Sequence, residues 1–364
     1  MDERWSWVAL ALVPAVGWNA RRYHELLAVG SPAELFRTSR RVLASRVGDD
    51  LARAVAECDA AATGARQRVA AERAEARLVT LADADYPPGL RHVPMPPPFL
   101  FVCGRLERED ALAVAIVGSR RPTTYGLATA ERLAGELAAR GVTVVSGLAR
   151  GVDSAAHRGT LAAGGRTVAV LGSGVDIVYP PENAALARRI VGAGALVSQF
   201  PMGTRPLPHH FPLRNRVIAG LGAGTVVVEA GEKSGALITA RFAAELGREV
   251  YAVPGNVSSD LSHGTNRLIQ EGAKLVHDWR DVVDEWPPEW RRALRPAAAD
   301  PATALPPATA GAGRLLPFLG EEPVAIDAVI AGSGLPAGEV AASLMALELE
   351  GRVRQLPGQR YVRC

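Results

Sequence analysis

Short turns rich in glycine and serine recur at the ends of apolar runs, and several of them carry arginine. The first is Val117-Gly118-Ser119-Arg120-Arg121-Pro122. Gly118 lets a ligand approach the backbone, Ser119 offers a hydroxyl, and Arg120 offers a planar fork matched to phosphate oxygens. The second is Ser146-Gly147-Leu148-Ala149-Arg150-Gly151-Val152-Asp153, in which Gly147 and Gly151 bracket a turn and Asp153 is placed to cap the following helix. The third is Leu171-Gly172-Ser173-Gly174. Taken together, Ser119, Ser146, Gly147, Gly151, Gly172 and Gly174 predict a floor of small residues at three successive strand ends. Such a floor suits a phosphate group or the sugar of a nucleotide.

A fourth segment, Pro208-His209-His210-Phe211-Pro212-Leu213-Arg214-Asn215-Arg216-Val217-Ile218, adds two guanidinium groups. On a helix, position 214 shares a face with 217 or 218, while Asn215 and Arg216 point elsewhere. One arginine then lines the floor and the other anchors the helix, and the spacing leaves open which. Phe211 either stacks on a base or staples the helix start. Ser234 and Gly235 read as a helix N-terminus with free amides, and the loops at 254–256 and 263–266 lie at the same edge. His157 falls one turn into a helix and reads as a packed, hydrogen-bonded histidine. The acids near the floor, Asp153, Asp176 and Glu229, are dispersed, and no nucleophile elbow or metal spacing accompanies them. This pattern suits holding phosphate without transforming it, with no cofactor and no metal.

The elements that must position these residues are legible as a repeating pattern. From Ala113 to about Trp286, apolar runs such as AVAIVGS, VTVVSGL, TVAVLGSG and TVVVEAG alternate with amphipathic helical segments. Strands this apolar are covered on both faces, so the fold class is α/β: a Rossmann-like, doubly wound, mostly parallel sheet. In such a sheet ligands bind beyond the carboxyl ends of the strands. Residues 1–75 read as a small helical domain, with a helix, Gly turn and helix at its start. Residues 76–286 form the core, 287–312 a Pro/Ala-rich linker, and 313–364 three short helices and a strand pair, a winged-helix pattern. Its third helix carries Glu339, Glu348 and Glu350 and no arginine, the wrong charge for reading a DNA groove.

With a formal net charge of +3, the chain is only mildly basic, which by itself identifies no partner. Lys233 and Lys274 are its only lysines, so nearly every cation is a guanidinium, the better phosphate fork. Cys58, Cys103 and Cys364 are far apart and suit a reducing cytoplasm. The apolar N-terminal stretch follows Asp2 and Glu3 and is interrupted by Pro14, so it reads as a core helix and not a signal peptide or membrane span.

The runs VGSRRPTTYG, SGLARGVDSAAH, VLGSGVDIVYPPEN, HHFPLRNRVIAGL, VVVEAGEKSGALITA and GTNRLIQEGAKLV resemble the DNA-processing protein A (DprA/Smf) family over nearly the whole chain. That resemblance implies a non-enzymatic protein that binds and protects single-stranded DNA, loads the RecA recombinase onto it, and serves natural transformation. It implies that Ser119, Arg120, Gly147, Gly151, Gly172, Gly174, Arg214, Asn215 and Arg216 line or support a phosphate-gripping pocket. It also implies a homodimer, with Ile269, Gln270 and Leu275 in the surface for self-association and RecA. The competing expectation is a nucleoside-monophosphate phosphoribohydrolase of the lysine-decarboxylase-like family, whose PGGxGTxxE segment places a catalytic glutamate. Here the comparable strand end reads EAGEKSGALITA, without the double glycine. A nicotinamide-dependent oxidoreductase is disfavoured, because GxGxxG is missing.

Overall fold

The computed structural model describes residues 2–17, 20–296, 312–320, 322–349 and 352–363. Contacts divide the chain into two compact units, Met1–Pro296 and Ala297–Cys364. In the first, six helices lead: α1 (Glu3–Ala11), α2 (Ala20–Leu27), α3 (Pro32–Arg37), α4 (Arg40–Val47), α5 (Asp49–Ala56) and α6 (Ala60–Arg73). Capping explains several of their starts. Ser31 accepts from the Glu34 amide while Glu34 reaches back, and Asp59 accepts from Ala62 N at 2.9 Å. The expected turn between the first two helices includes Trp18 and Asn19, which lie outside the described residues.

Next come β1 (Ala76–Thr80), α7 (Pro88–Arg91) and β2 (Phe99–Gly104), then the alternating pattern. It runs β3 (Ala113–Val117), α8 (Thr124–Ala139), β4 (Thr143–Ser146), α9 (Val152–Ala162), β5 (Thr167–Val170), α10 (Ala184–Ala193) and β6 (Ala195–Ser198). After a long connection follow α11 (His210–Leu221), β7 (Gly224–Val227), α12 (Gly235–Glu245), β8 (Glu249–Ala252), α13 (His263–Gln270), β9 (Lys274–Leu275), α14 (Trp279–Val283) and α15 (Pro288–Ala293). All nine strands form one sheet in the order β1-β2-β6-β5-β4-β3-β7-β8-β9. From β6 to β9 every pairing is parallel, while β1–β2 and β2–β6 are antiparallel. The doubly wound sheet is as the apolar runs require. Strand β2 is the apolar run expected at the end of the Pro-rich connector 83–104, whereas β1 departs from expectation, because ARLVT carries polar residues and follows a helical run.

The N-terminal helices share a core with this end of the sheet. Val8, Leu10, Leu26, Leu35 and Leu43 cluster with Leu78, Phe99, Phe101 and Leu171. Two further clusters cover the two faces of the parallel strands. The stretch read as linker from residue 287 begins as α15, whose Trp290 packs edge-on against Trp286 with centroids 5.8 Å apart. Residues 297–311 lie outside the described residues.

The second unit contains α16 (Ala312–Leu315), β10 (Val324–Ala325), α17 (Ile326–Ser333), α18 (Ala337–Leu349), β11 (Val353–Leu356) and β12 (Arg360–Arg363). Its strands form an antiparallel sheet, and Leu315, Leu319, Val329, Val340, Leu344, Leu347, Val353 and Tyr361 make its core. This is the expected winged helix, with one additional short strand.

Candidate nucleic-acid interface

Strand order reverses at β3, which lies between β4 and β7, so the loops leaving β3 and β7 diverge and open a crevice. Helix α11 crosses above it, and the result is a cleft of about 760 Å³. Gly118, Ser119 and Arg120 form one wall, Lys233, Ser234 and Gly235 the other, and Phe211, Arg214 and Asn215 hang from α11. The sequence grouped the ends of β3, β4 and β5 with Ser234 and Gly235 at the β7 exit. The strand order sets β7 beside β3, and the β5 exit reaches the cleft through Tyr179 and not through Gly172 or Gly174.

Of the two arginines between which the spacing did not decide, Arg214 is the one that lines the cleft, and its setting is unusual. It is 3% exposed, donates from Nη1 to Val170 O at 2.9 Å, and has no hydrogen-bond partner at Nε. Burial pushes its guanidinium down to about 10, against the attraction of Asp153 and with the help of Arg120. It therefore remains a cation at neutral pH with unused donor capacity. Phe211 orders the two cations: Arg120 lies 5.2 Å from its ring centroid and Arg214 5.7 Å. Two like charges around one ring are stabilised by an anion between them.

Most of the small residues act as supports and not as floor. A side chain at Gly147 would begin 1.6 Å from Arg214 Nη1 and 2.7 Å from Asp153 Oδ2, so this glycine makes way for the guanidinium. Gly172 gives room to the Phe211 ring, whose edge would lie 3.1 Å from a Cβ. Gly151, at φ +78°, packs a bare backbone against Ser119 O and joins the loops after β3 and β4. Ser146 is fully buried and donates to Ile116 O at 2.6 Å, tying β4 to β3 without reaching the cleft. Gly174 lies against Asp176 and Pro201, away from it. Ser119 lines the wall, but its hydroxyl accepts from Arg121 N at 3.1 Å.

On α11 the facing differs from the expectation. Residues 214, 215 and 218 line the cleft, whereas Leu213, Arg216 and Val217 line a separate, mainly apolar pocket with Tyr23, Leu90 and Phe99. Steps of about 100° per residue allow positions i, i+1 and i+4 to share one broad face. Asn215 thus belongs to the cleft and donates to Gly235 O at 3.3 Å, while Arg216 bonds Pro94 O and serves as the anchor. Ser234 caps α12 by accepting from Ala236 N at 3.3 Å, and a side chain at Gly235 would meet open space. Sequence reasoning missed Lys233 and Tyr179 as cleft residues. The signal was available for Lys233, one of two lysines in the chain and directly in a strand-exit loop.

The acids are committed elsewhere. Asp153 is not the helix cap, a place taken by Gly151. It sits in the first turn of α9 and accepts from Gly147 N and Ala149 N at 3.1 and 3.3 Å. Burial raises its pKa, opposed by Arg214. Glu229, buried, accepts from Thr123 N and Oγ1 at 2.8 and 2.6 Å and so holds the start of α8. That role occupies the carboxylate on which the phosphoribohydrolase expectation turned. The segment expected as a loop at 263–266 is the first turn of α13. On the proposed partner surface, Gln270 is exposed, Ile269 half-buried, and Leu275 36% exposed on the edge strand β9.

His157 is fully buried, with Nδ1 2.7 Å from Thr167 Oγ1, and burial pushes its pKa down to about 3. The unfolded chain binds a proton near pH 6.5 and the folded one does not, so stability is present above 6.5 and lost as pH falls towards 3. The loss is about 1.4 kcal/mol per pH unit. Denaturant unfolding at pH 7.5 and 5.5 checks this, and His157→Gln should flatten the difference between the two.

Residues 77–287 match the family model described as DNA recombination-mediator protein A, and residues 299–359 match the DprA winged helix domain. Protein Smf of Synechocystis sp. is 36% identical over 320 residues, covering 79% of this chain and 80% of the relative. Protein Smf of Escherichia coli is 40% identical over 292 residues, covering 78% and 76%. Among solved structures, DNA processing protein A from Streptococcus pneumoniae aligns with a TM-score of 0.69 at 33% identity, covering 78% of this chain and 98% of its own. The Helicobacter pylori protein, described for its single-stranded DNA binding mode, aligns with a TM-score of 0.52 at 28% identity, covering 58% and 94%. With its switch-point cleft and its winged helix, the chain belongs to the DNA recombination-mediator protein A (DprA/Smf) family.

Proposed function

We propose that the chain is a cytoplasmic recombination mediator that grips the phosphate backbone of single-stranded DNA in the β3/β7 cleft and acts by binding, not catalysis. The observation that carries this reading is Arg214: a largely buried cation that lines the cleft, with Arg120 and Lys233 on opposite walls. An anion there relieves the repulsion between Arg120 and Arg214. Phe211 and Tyr179, 6.0 Å apart, give bases an aromatic surface beside the phosphates. The described single-strand binding mode of the Helicobacter pylori relative supports the choice of ligand. The reading extends to a homodimer through the edge near Ile269, Gln270 and Leu275, and to delivery of the strand to RecA from that region. No single described helix is long and apolar enough to cross a membrane.

A salt titration of binding tests the central step. Single-stranded oligonucleotides should bind more tightly than duplexes of equal length. The logarithm of affinity should fall linearly with the logarithm of salt, by about 0.7 per phosphate held. Base sequence should matter little. Equal affinity for both forms, or affinity independent of salt, would overturn the reading.

A further inference from the structure

The winged-helix unit has strongly separated charge. Residues 352–363, which make the β11–β12 hairpin, contain four arginines and no acid. Residues 326–349, which make α17 and α18, contain Asp327, Glu339 and Glu348 and no lysine or arginine. The exposed positions of α18 are Ala337, Gly338, Glu339, Ala341, Ala342 and Met345, the last 65% exposed. None of these side chains can donate a hydrogen bond, so this helix has nothing with which to hold phosphates or acceptors on base edges.

The hairpin has the opposite character, and its register fixes which side carries it. Arg354 pairs with Val362 and Leu356 with Arg360, so these four share one face. Val353 and Tyr361, of the alternate set, are buried in the unit's core. The outward face therefore presents Arg354 and Arg360, with Arg352 two residues before Arg354 on the same side. All three are exposed, and Arg354 meets no acid among the described residues. The Pro357-Gly358 turn closes this ribbon tightly, with Gly358 at φ +83°. A narrow two-stranded ribbon with arginines on its outer face fits against duplex DNA, whose major groove admits such a ribbon and whose phosphates flank it.

We propose that the wing of the C-terminal unit, through Arg354 and Arg360, is a second nucleic-acid site that holds the backbone of duplex DNA, with α18 taking no part. This reverses the usual assignment of contact within a winged helix. It stands apart from the cleft reading.

The test uses the full chain and two DNAs: a single strand, and a duplex carrying the same strand as a tail. Wild type should bind the tailed duplex several-fold more tightly than the tail alone. The Arg354→Glu/Arg360→Glu variant should lose that advantage and show a shallower salt dependence on the tailed duplex. Its affinity for the tail alone should be unchanged. Arg354→Gln/Arg360→Gln should fall between, and circular dichroism should report an intact fold for both. An unchanged advantage in the charge-reversed variant overturns the proposal. So does an equal loss on tail and tailed duplex, which would make the wing a single-strand contact. Failure of the cleft reading is distinct: wild type would then bind the tail poorly while keeping its wing-dependent affinity for the duplex.

Discussion

Arg214→Leu should abolish single-strand binding and cost about 3 kcal/mol of folding stability, and Asp153→Asn in the same background should restore much of the stability but none of the binding. The reasoning starts from two buried charges. Asp153 and Arg214 flank Gly147, and each moderates the burial penalty of the other. Removing one partner strands the other in a poor medium, typically at about 3–5 kcal/mol. Leucine replaces part of the lost volume, but the donor to Val170 O goes with the guanidinium. Without Arg214 the larger of the two cationic influences on the Asp153 carboxylate is gone and only Arg120 remains, so its already raised pKa climbs further. A folded-state acid with a raised pKa holds its proton where the unfolded chain has released it. Stability is then greatest below about pH 4 and declines as pH rises through the folded value. Measured against wild type, which carries the same His157 term, the single variant should accordingly be less destabilised at pH 5 than at pH 7, and the asparagine double variant should show no such difference. A single variant as stable as wild type at pH 7 would mean that the pair is not coupled.

How far this site was readable from sequence follows from what periodicity can and cannot encode. The strands were legible because AVAIV, TVVS, TVAV and TVV are too apolar for any place but a sheet covered on both faces. The glycine-bearing exits were legible because each follows such a run. What the sequence does not carry is strand order. The crevice belongs to β3 and β7, separated by more than a hundred residues, and Gly172 and Gly174 at the β5 exit, grouped with it as one of several carboxyl strand ends, do not line it. Glycines also carry two meanings that sequence does not separate. Gly235 faces open space, whereas Gly147 and Gly172 are small because Arg214 and Phe211 need the room. On α11 the choice between Arg214 and Arg216 was undecidable from spacing, because the helix is packed on two sides: towards the cleft at 214 and towards the apolar pocket at 216.

That division of α11 sets up the second large effect. Arg120→Glu should weaken single-strand binding at least about a hundredfold at low salt while leaving the melting temperature unchanged or slightly raised. Arg120 is exposed, and its guanidinium lies over the Phe211 ring. Its loss therefore removes little that holds the fold. Its charge opposes that of Arg214, so removing it relieves a repulsion in the unliganded protein. A charge-assisted hydrogen bond contributes about 1.5–3 kcal/mol. Reversal adds repulsion between the new carboxylate and the same phosphates, and each 1.4 kcal/mol is about tenfold in affinity. The salt dependence should become shallower by about 0.7 for each phosphate released. Arg120→Gln, which removes attraction without adding repulsion, should fall between wild type and the reversed variant. Arg216→Glu is the informative control: it lies on the same helix as Arg214 but in the other pocket, bonded to Pro94 O, so affinity should hold nearly constant. Equal losses at Arg120 and Arg216 would report only the general field of the protein. A loss confined to Arg120 places the strand in the cleft between β3 and β7, where the two guanidiniums share one ring.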